Sequence, residues 1–204
     1  MTLNIPNWAM WDTMKQVEAV KTKEQRIQVE AQLLEAGQVY ADIWKLGVNT
    51  ALRISDLLQL TMDDVSRLDP KTPVLELVEK KTGKARRIVL NAPAQVVLST
   101  RLAGNSKHIY LFQSEAVNID RREAQPINRR SVARVVEKVG QQVAPKLRLG
   151  THSMRKTRGY AMFEAGRSIE SIAKVLNHSS PAVTMRYIGI EQRDIDQSYV
   201  EFEL

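Results

Sequence analysis

The chain has 204 residues, enough for one domain with or without a short arm, and 43% of them are hydrophobic, an ordinary share for a protein that buries a core. There is no cysteine, which excludes disulfides, thiolate zinc sites and cysteine nucleophiles. A net charge of +7 favours a polyanionic partner, nucleic acid before a membrane surface, and neither a secretory signal at Met1 to Trp11 nor an apolar run near the ~20 residues that span a bilayer is present, so a soluble, intracellular protein is expected.

Trp8, Trp11, Met14 and Val17 recur at helix-like spacing, so residues 1–22 are expected to form an arm helix packed on the domain or on a neighbour. Between Lys23 and Leu46 the apolar positions Ile27, Leu33, Leu34, Val39, Ile43 and Leu46 predict mostly helix, with Gly47 as its stop. A second helix is expected over residues 51–60, with Ile54, Leu57 and Leu58 on one side. Two β-prone stretches, 74–78 and 87–90, flank Lys81-Thr82-Gly83-Lys84 and predict a hairpin with a basic turn. Helices resume over 93–102, 129–143, 153–165, 168–176 and 181–188, punctuated by Pro126, Pro145, Gly150 and Gly166. The fold class is mainly α with a small antiparallel β-hairpin.

Several enzyme motifs are missing: H-E-x-x-H, a phosphate-binding glycine loop and a G-x-S-x-G elbow. Carboxylates do not cluster at metal-ligand spacing, so action on phosphates would rest on arginine, lysine and histidine, with no cofactor. Thr151 is a suitable N-cap for a helix on which His152 and Arg155, three apart, share a face, with Met154, Ala161, Met162 and Ala165 as its buried stripe. Ser180 suits the next N-cap and Pro181 the first helical position, and Tyr187 lies two turns further on.

Taken singly, each of these residues has a bland explanation. Arg53 can cap a helix or pair with Asp56, and Lys81, beside Lys80 and Lys84, can be a solvated hairpin charge. His152 suits a helix start and His178 a helix junction. Tyr160, Tyr187 and Tyr199 can all be packing residues, and His108 is read as structural.

Together they form a pattern. H-x-x-R at His152 and Arg155, L-x-H-S-S-P from Leu176 to Pro181 and T-x-x-Y from Thr184 to Tyr187 follow, in order, the segment from Ala51 to Leu60 around Arg53 and the hairpin Lys81. The set resembles the tyrosine recombinases, the phage integrase family. That resemblance implies the family's catalytic-domain fold over residues 23–190, an arm over 1–22, and a tail over 191–204 that packs on its own domain or on a neighbouring protomer. It implies double-stranded DNA as partner, a homo-oligomer (a tetramer) on DNA, an accessory DNA-bending protein in some reactions, and a cytoplasmic, nucleoid-associated place.

The implied chemistry is cleavage and rejoining through a 3′-phosphotyrosyl bond to Tyr187, without metal or ATP. Arg53 and Arg155 would grip the non-bridging oxygens, Lys81 would protonate the leaving 5′-oxygen, His152 would take the tyrosine proton and His178 would donate to the phosphate. Asp56 would orient Arg53. Rival readings are DNA relaxation of the type IB topoisomerase kind and a DNA-binding regulator that has lost the reaction. Two residues depart from the family pattern: Lys156 replaces a second histidine, and Asn177 replaces a glycine, where asparagine tolerates left-handed backbone. About fifty residues precede Arg53. Many relatives carry a clamp domain there, so a short, catalytic-domain-only member with weak or partner-dependent DNA binding is expected.

Overall fold

The structure is a computed structural model that describes residues 17–104, 107–115, 123–190 and 200. Thr22 starts the first helix, α1 (Lys23–Ala36), its side chain accepting a hydrogen bond from the Gln25 amide at 3.1 Å. The chain breaks at Gly37, whose φ of 143° is a conformation L side chains rarely adopt, and α2 (Gln38–Thr50) begins at once. Gly47 is therefore no stop. It sits within α2 because the Met154 side chain packs where its Cβ would be. The helix ends instead at Ala51, in left-handed conformation.

The helix expected over 51–60 contracts to one turn, α3 (Ile54–Leu57), yet Ile54, Leu57 and Leu58 are all buried. A short helix that periodicity did not reveal follows, α4 (Met62–Ser66), opened by a reciprocal capping box between Thr61 and Asp64. The hairpin is as expected: β1 (Val74–Val78) pairs antiparallel with β2 (Ala85–Val89), with Leu77 opposite Arg86. Five helices complete the described chain: α5 (Ala92–Gly104), α6 (Arg129–Val143), α7 (Ser153–Glu164), α8 (Ile169–Leu176) and α9 (Pro181–Ile188). The last is capped by Ser180 with Pro181 in its first turn, as its sequence predicts.

The main core joins α1, α2, the inner hairpin face, α5 and α6, with Met154 reaching in from α7. Trp44, Phe112, Leu33, Leu46 and Leu57 are fully enclosed there, each contributing about 1.5–3 kcal/mol. A smaller cluster of Ala51, Ile172, Leu176 and Ile188 ties α8 and α9 to the end of α2. Not every apolar residue of α1 faces inward: Ile27 and Leu34 are exposed. The stripe expected on α7 also differs. Met154 is enclosed, but Ala161 and Met162 are half-buried and Ala165 is exposed, while Ser153, Arg155, Lys156 and Thr157 take the inner positions.

The arm's described end, residues 17–22, has no regular secondary structure and is not helical. Glu18 donates its amide to the Arg148 carbonyl at 2.8 Å, and the Arg148 amide returns a bond to the Glu18 carboxylate at 3.0 Å. Val20 enters the main core, its amide bonded to the Thr157 hydroxyl at 2.9 Å. Trp8, Trp11 and Met14 lie outside the described residues, as does the tail from Glu191 apart from Val200. Among the described residues, no helix is long and apolar enough to cross a membrane.

Candidate functional site

The site forms where the C-terminal ends of two helices meet. α2 ends at Thr50 and Ala51, α8 ends at Leu176, and both leave carbonyls that no intrahelical donor satisfies. Two arginines bridge the gap. Arg155, only 2% exposed, donates to the carbonyls of Ala51 and Leu176, the latter at 2.5 Å. Arg86 donates to Thr50 at 2.9 Å and to Val175 at 2.8 Å. Guanidinium charge at two helix C-termini is favourable, and the planar fork reaches two carbonyls at once.

Glu79 balances this charge. It follows β1 on the same inward face as Leu75 and Leu77, and it is fully enclosed. Its carboxylate pairs with Arg53 at 2.5 Å and with Arg86 at 3.0 Å, and accepts from Thr82 at 2.9 Å and Asn177 at 2.6 Å. Burial pushes its pKa up, but the bonds from Thr82, Arg53, Arg86 and Asn177 prevail and hold it at about 2. Glu79, not Asp56, therefore fixes Arg53. Asp56 accepts the Lys80 amide at 3.0 Å, anchoring the start of the hairpin turn. Arg53 occupies the N-cap position of α3, but its side chain makes no capping bond. Asn177 adopts left-handed geometry, φ 52° and ψ 46°, as expected where it replaces a glycine.

The two histidine boxes meet around Tyr187. The residue at the α7 cap is His152, not Thr151, and its ring makes no capping bond. Its Nδ1 lies 3.3 Å from the Tyr187 hydroxyl instead. His178 meets the Tyr187 ring edge-on, 4.7 Å between centroids, and its Nδ1 is 3.2 Å from the Thr184 hydroxyl. Arg53, His152, Arg155, His178 and Tyr187 thus converge. Lys81 does not join them: it is exposed in the hairpin turn, and its ammonium makes no hydrogen bond or ion pair among the described residues. Glu79 and Arg86 carry much of the site's geometry and were not singled out from sequence.

Electrostatics in the site favour neutral histidines. Burial, then the charges of Arg155, Arg129, Lys156 and Arg53, lower the His152 pKa below its ordinary value. Burial and the guanidiniums of Arg155 and Arg53 bring His178 down to about 4. Burial raises the Tyr187 pKa, while Arg155 and Arg53 oppose it. At neutral pH the phenol is protonated beside a neutral imidazole able to accept its proton.

Acid should therefore destabilise the fold through His178. Above pH 6.5 the ring is neutral whether folded or not; as pH falls from there toward about 4, the unfolded chain takes the proton first and stability is lost. Thermal melts across that window should show a shallower decline for His178→Asn than for the parent. Equal slopes would show that the ring titrates normally.

The phage integrase family matches residues 16–193. The probable integrase/recombinase YoeC of Bacillus subtilis (strain 168) is 31% identical over 186 residues, which are 91% of this chain and 97% of that protein. The tyrosine recombinase XerC of Pelobacter propionicus is 29% identical over 146 residues, 70% of this chain and 44% of XerC. Among solved structures, the XerH site-specific recombinase bound to a palindromic difH substrate superposes with a TM-score of 0.68 at 16% identity, covering 89% of this chain and 51% of XerH. The chain thus spans nearly all of YoeC but about half of XerC and of XerH.

Proposed function

Because the chain belongs to the phage integrase family and has the fold of the tyrosine recombinase catalytic domain, we propose that it cuts and rejoins double-stranded DNA through Tyr187. The observation that carries this reading is the His152 Nδ1 placed 3.3 Å from the Tyr187 hydroxyl, with the Arg155 guanidinium acting on the same oxygen. A phenol is a poor nucleophile near neutral pH, and a phosphodiester anion repels attack. Here the proton has an acceptor and the phosphate has cations.

In the proposed step the Tyr187 oxygen bonds to phosphorus as the bond from phosphorus to the 5′-oxygen breaks. The phenolic proton passes to His152, and the 5′-oxygen takes a proton from Lys81, whose free position at the turn leaves it able to swing inward. Arg53 and Arg155 stabilise the added charge on the non-bridging oxygens, each worth roughly 2.7–4 kcal/mol by analogy with oxyanion donors. His178 has a further condition to meet. The Thr184 hydroxyl donates to the Ser180 carbonyl at 3.1 Å, so His178 Nδ1 donates to Thr184 and the neutral Nε2 is bare. It becomes a donor to the phosphate once that anion draws a proton onto the ring. The phosphotyrosyl product conserves the energy of the broken bond, so joining to another 5′-hydroxyl requires neither metal nor ATP.

Residues 23–190 are the catalytic unit in this reading, working in a homo-tetramer on DNA, with the 191–204 tail laid on a neighbouring protomer and an accessory protein bending DNA where the reaction requires it. The test is a covalent trap: the protein is incubated with nicked duplexes from the sequence flanking its gene, in EDTA without ATP, and run on denaturing gels. A protein–DNA band whose peptide map places the nucleotide on Tyr187 is expected. DNA binding without any such band would favour a regulator that has lost the reaction.

A further inference from the structure

Lys156 follows the box arginine on α7 and is 7% exposed. Enclosing an ammonium is costly unless something compensates its charge. Among the described residues its Nζ has no hydrogen bond or ion pair; it stands over the Tyr187 ring, 5.2 Å from the centroid. The groups facing it are that ring from α9, Glu18 from the arm, whose charge supports the ammonium, and His152 one turn back on its own helix.

We infer that Lys156 is a positioning residue for the Tyr187 nucleophile, its ammonium held on the ring face where it fixes the ring plane and favours negative charge on the phenol oxygen. The inference rests on the proposed role of Tyr187. The ring packs against the cluster of Ala51, Ile172, Leu176 and Ile188, and two polar neighbours meet it besides: the His178 edge at an interplanar angle of 82° and the Lys156 ammonium. With both in place the hydroxyl points at His152. The attraction between a cation and an aromatic face grows as the ring gains electron density. It is therefore stronger when the proton is leaving than when the phenol is intact, which is the condition for an interaction to accelerate a step. Burial of the ammonium away from water strengthens it further. A neutral side chain at 156 would fill the space but lack this preference.

The test compares Lys156→Met with Lys156→Arg. Single-turnover cleavage of a nicked duplex should be about tenfold slower in Lys156→Met, with the rising limb of its pH–rate profile displaced to higher pH, and largely restored in Lys156→Arg, because guanidinium also stacks on aromatic faces. In DNA-free protein with ¹³C-labelled tyrosine, assigned with Tyr187→Phe, the Tyr187 ring should ionise at a pH about one higher in Lys156→Met. If Lys156→Met does not fold, Lys156→Gln serves with the same expectations. A folded variant whose Tyr187 ionisation matches the parent overturns the inference. Failure of the parent to form an adduct would instead remove the recombinase reading, while the tyrosine titration would still decide this one.

Discussion

Arg155→Lys is expected to slow strand cleavage by a factor of about 10²–10³, the loss seen when one preorganised donor is removed from an anionic transition state. The substitution keeps the charge and removes the fork. Arg155 bridges the Ala51 and Leu176 carbonyls while acting on Tyr187, and one ammonium on a shorter stem cannot reproduce that reach. A second effect follows from the same geometry. Each carbonyl left without a donor in the enclosed junction costs about 1–3 kcal/mol, so the variant should also unfold at lower denaturant. The two effects separate experimentally: single-turnover cleavage well below the melting transition reports the first, and urea melts report the second. A stable variant that still cleaves slowly would place the main role of Arg155 at the phosphate. A destabilised variant that cleaves at the parent rate would make it a structural strut and remove the catalytic assignment.

The parts of this site written in local spacing were legible in the sequence, and those assembled by the fold were not. His152 and Arg155 three apart, or Ser180 and Pro181 ahead of Tyr187, are fixed by helix geometry and capping chemistry, which act over a few residues. The Gly37 break and the continuous helix through Gly47 are tertiary outcomes: both glycines look alike in sequence, but only Gly47 meets the Met154 side chain. Glu79 shows how near the sequence came. Strand alternation through Leu75 and Leu77, taken one step past the end of β1, places Glu79 on the inner face, and on β2 it places Arg86 there with Ile88. The flanking lysines made that segment read as a solvated turn. Asp56, one helical turn from Arg53, was the closer acid in sequence, but the hairpin brings Glu79 against the guanidinium while Lys80 occupies Asp56.

Glu79→Gln should therefore be the most destabilising of the conservative changes at this site, by about 3–5 kcal/mol at neutral pH, the usual penalty for removing one partner of a buried ion pair. The amide keeps the shape but places an NH₂ among Arg53, Arg86, Asn177 and Thr82, all of which donate to the carboxylate. Two guanidiniums, 16% and 9% exposed, would lose their counter-charge together. The pH dependence gives an independent check. With its pKa held at about 2 against an ordinary 4.5, the carboxylate contributes stability that is complete above pH 4.5 and is lost as pH falls toward 2. The parent should lose stability through that window, and Glu79→Gln should lose clearly less there while retaining the decline from His178 at higher pH. Cleavage should slow as well, since the same carboxylate fixes Arg53 and, through Thr82, the turn that carries Lys81. Urea melts at pH 7 and thermal melts below pH 4.5 measure both quantities. Parent-like stability with an unchanged acid limb would mean that Arg53 and Arg86 are held by the helix ends and their neighbours, not by Glu79.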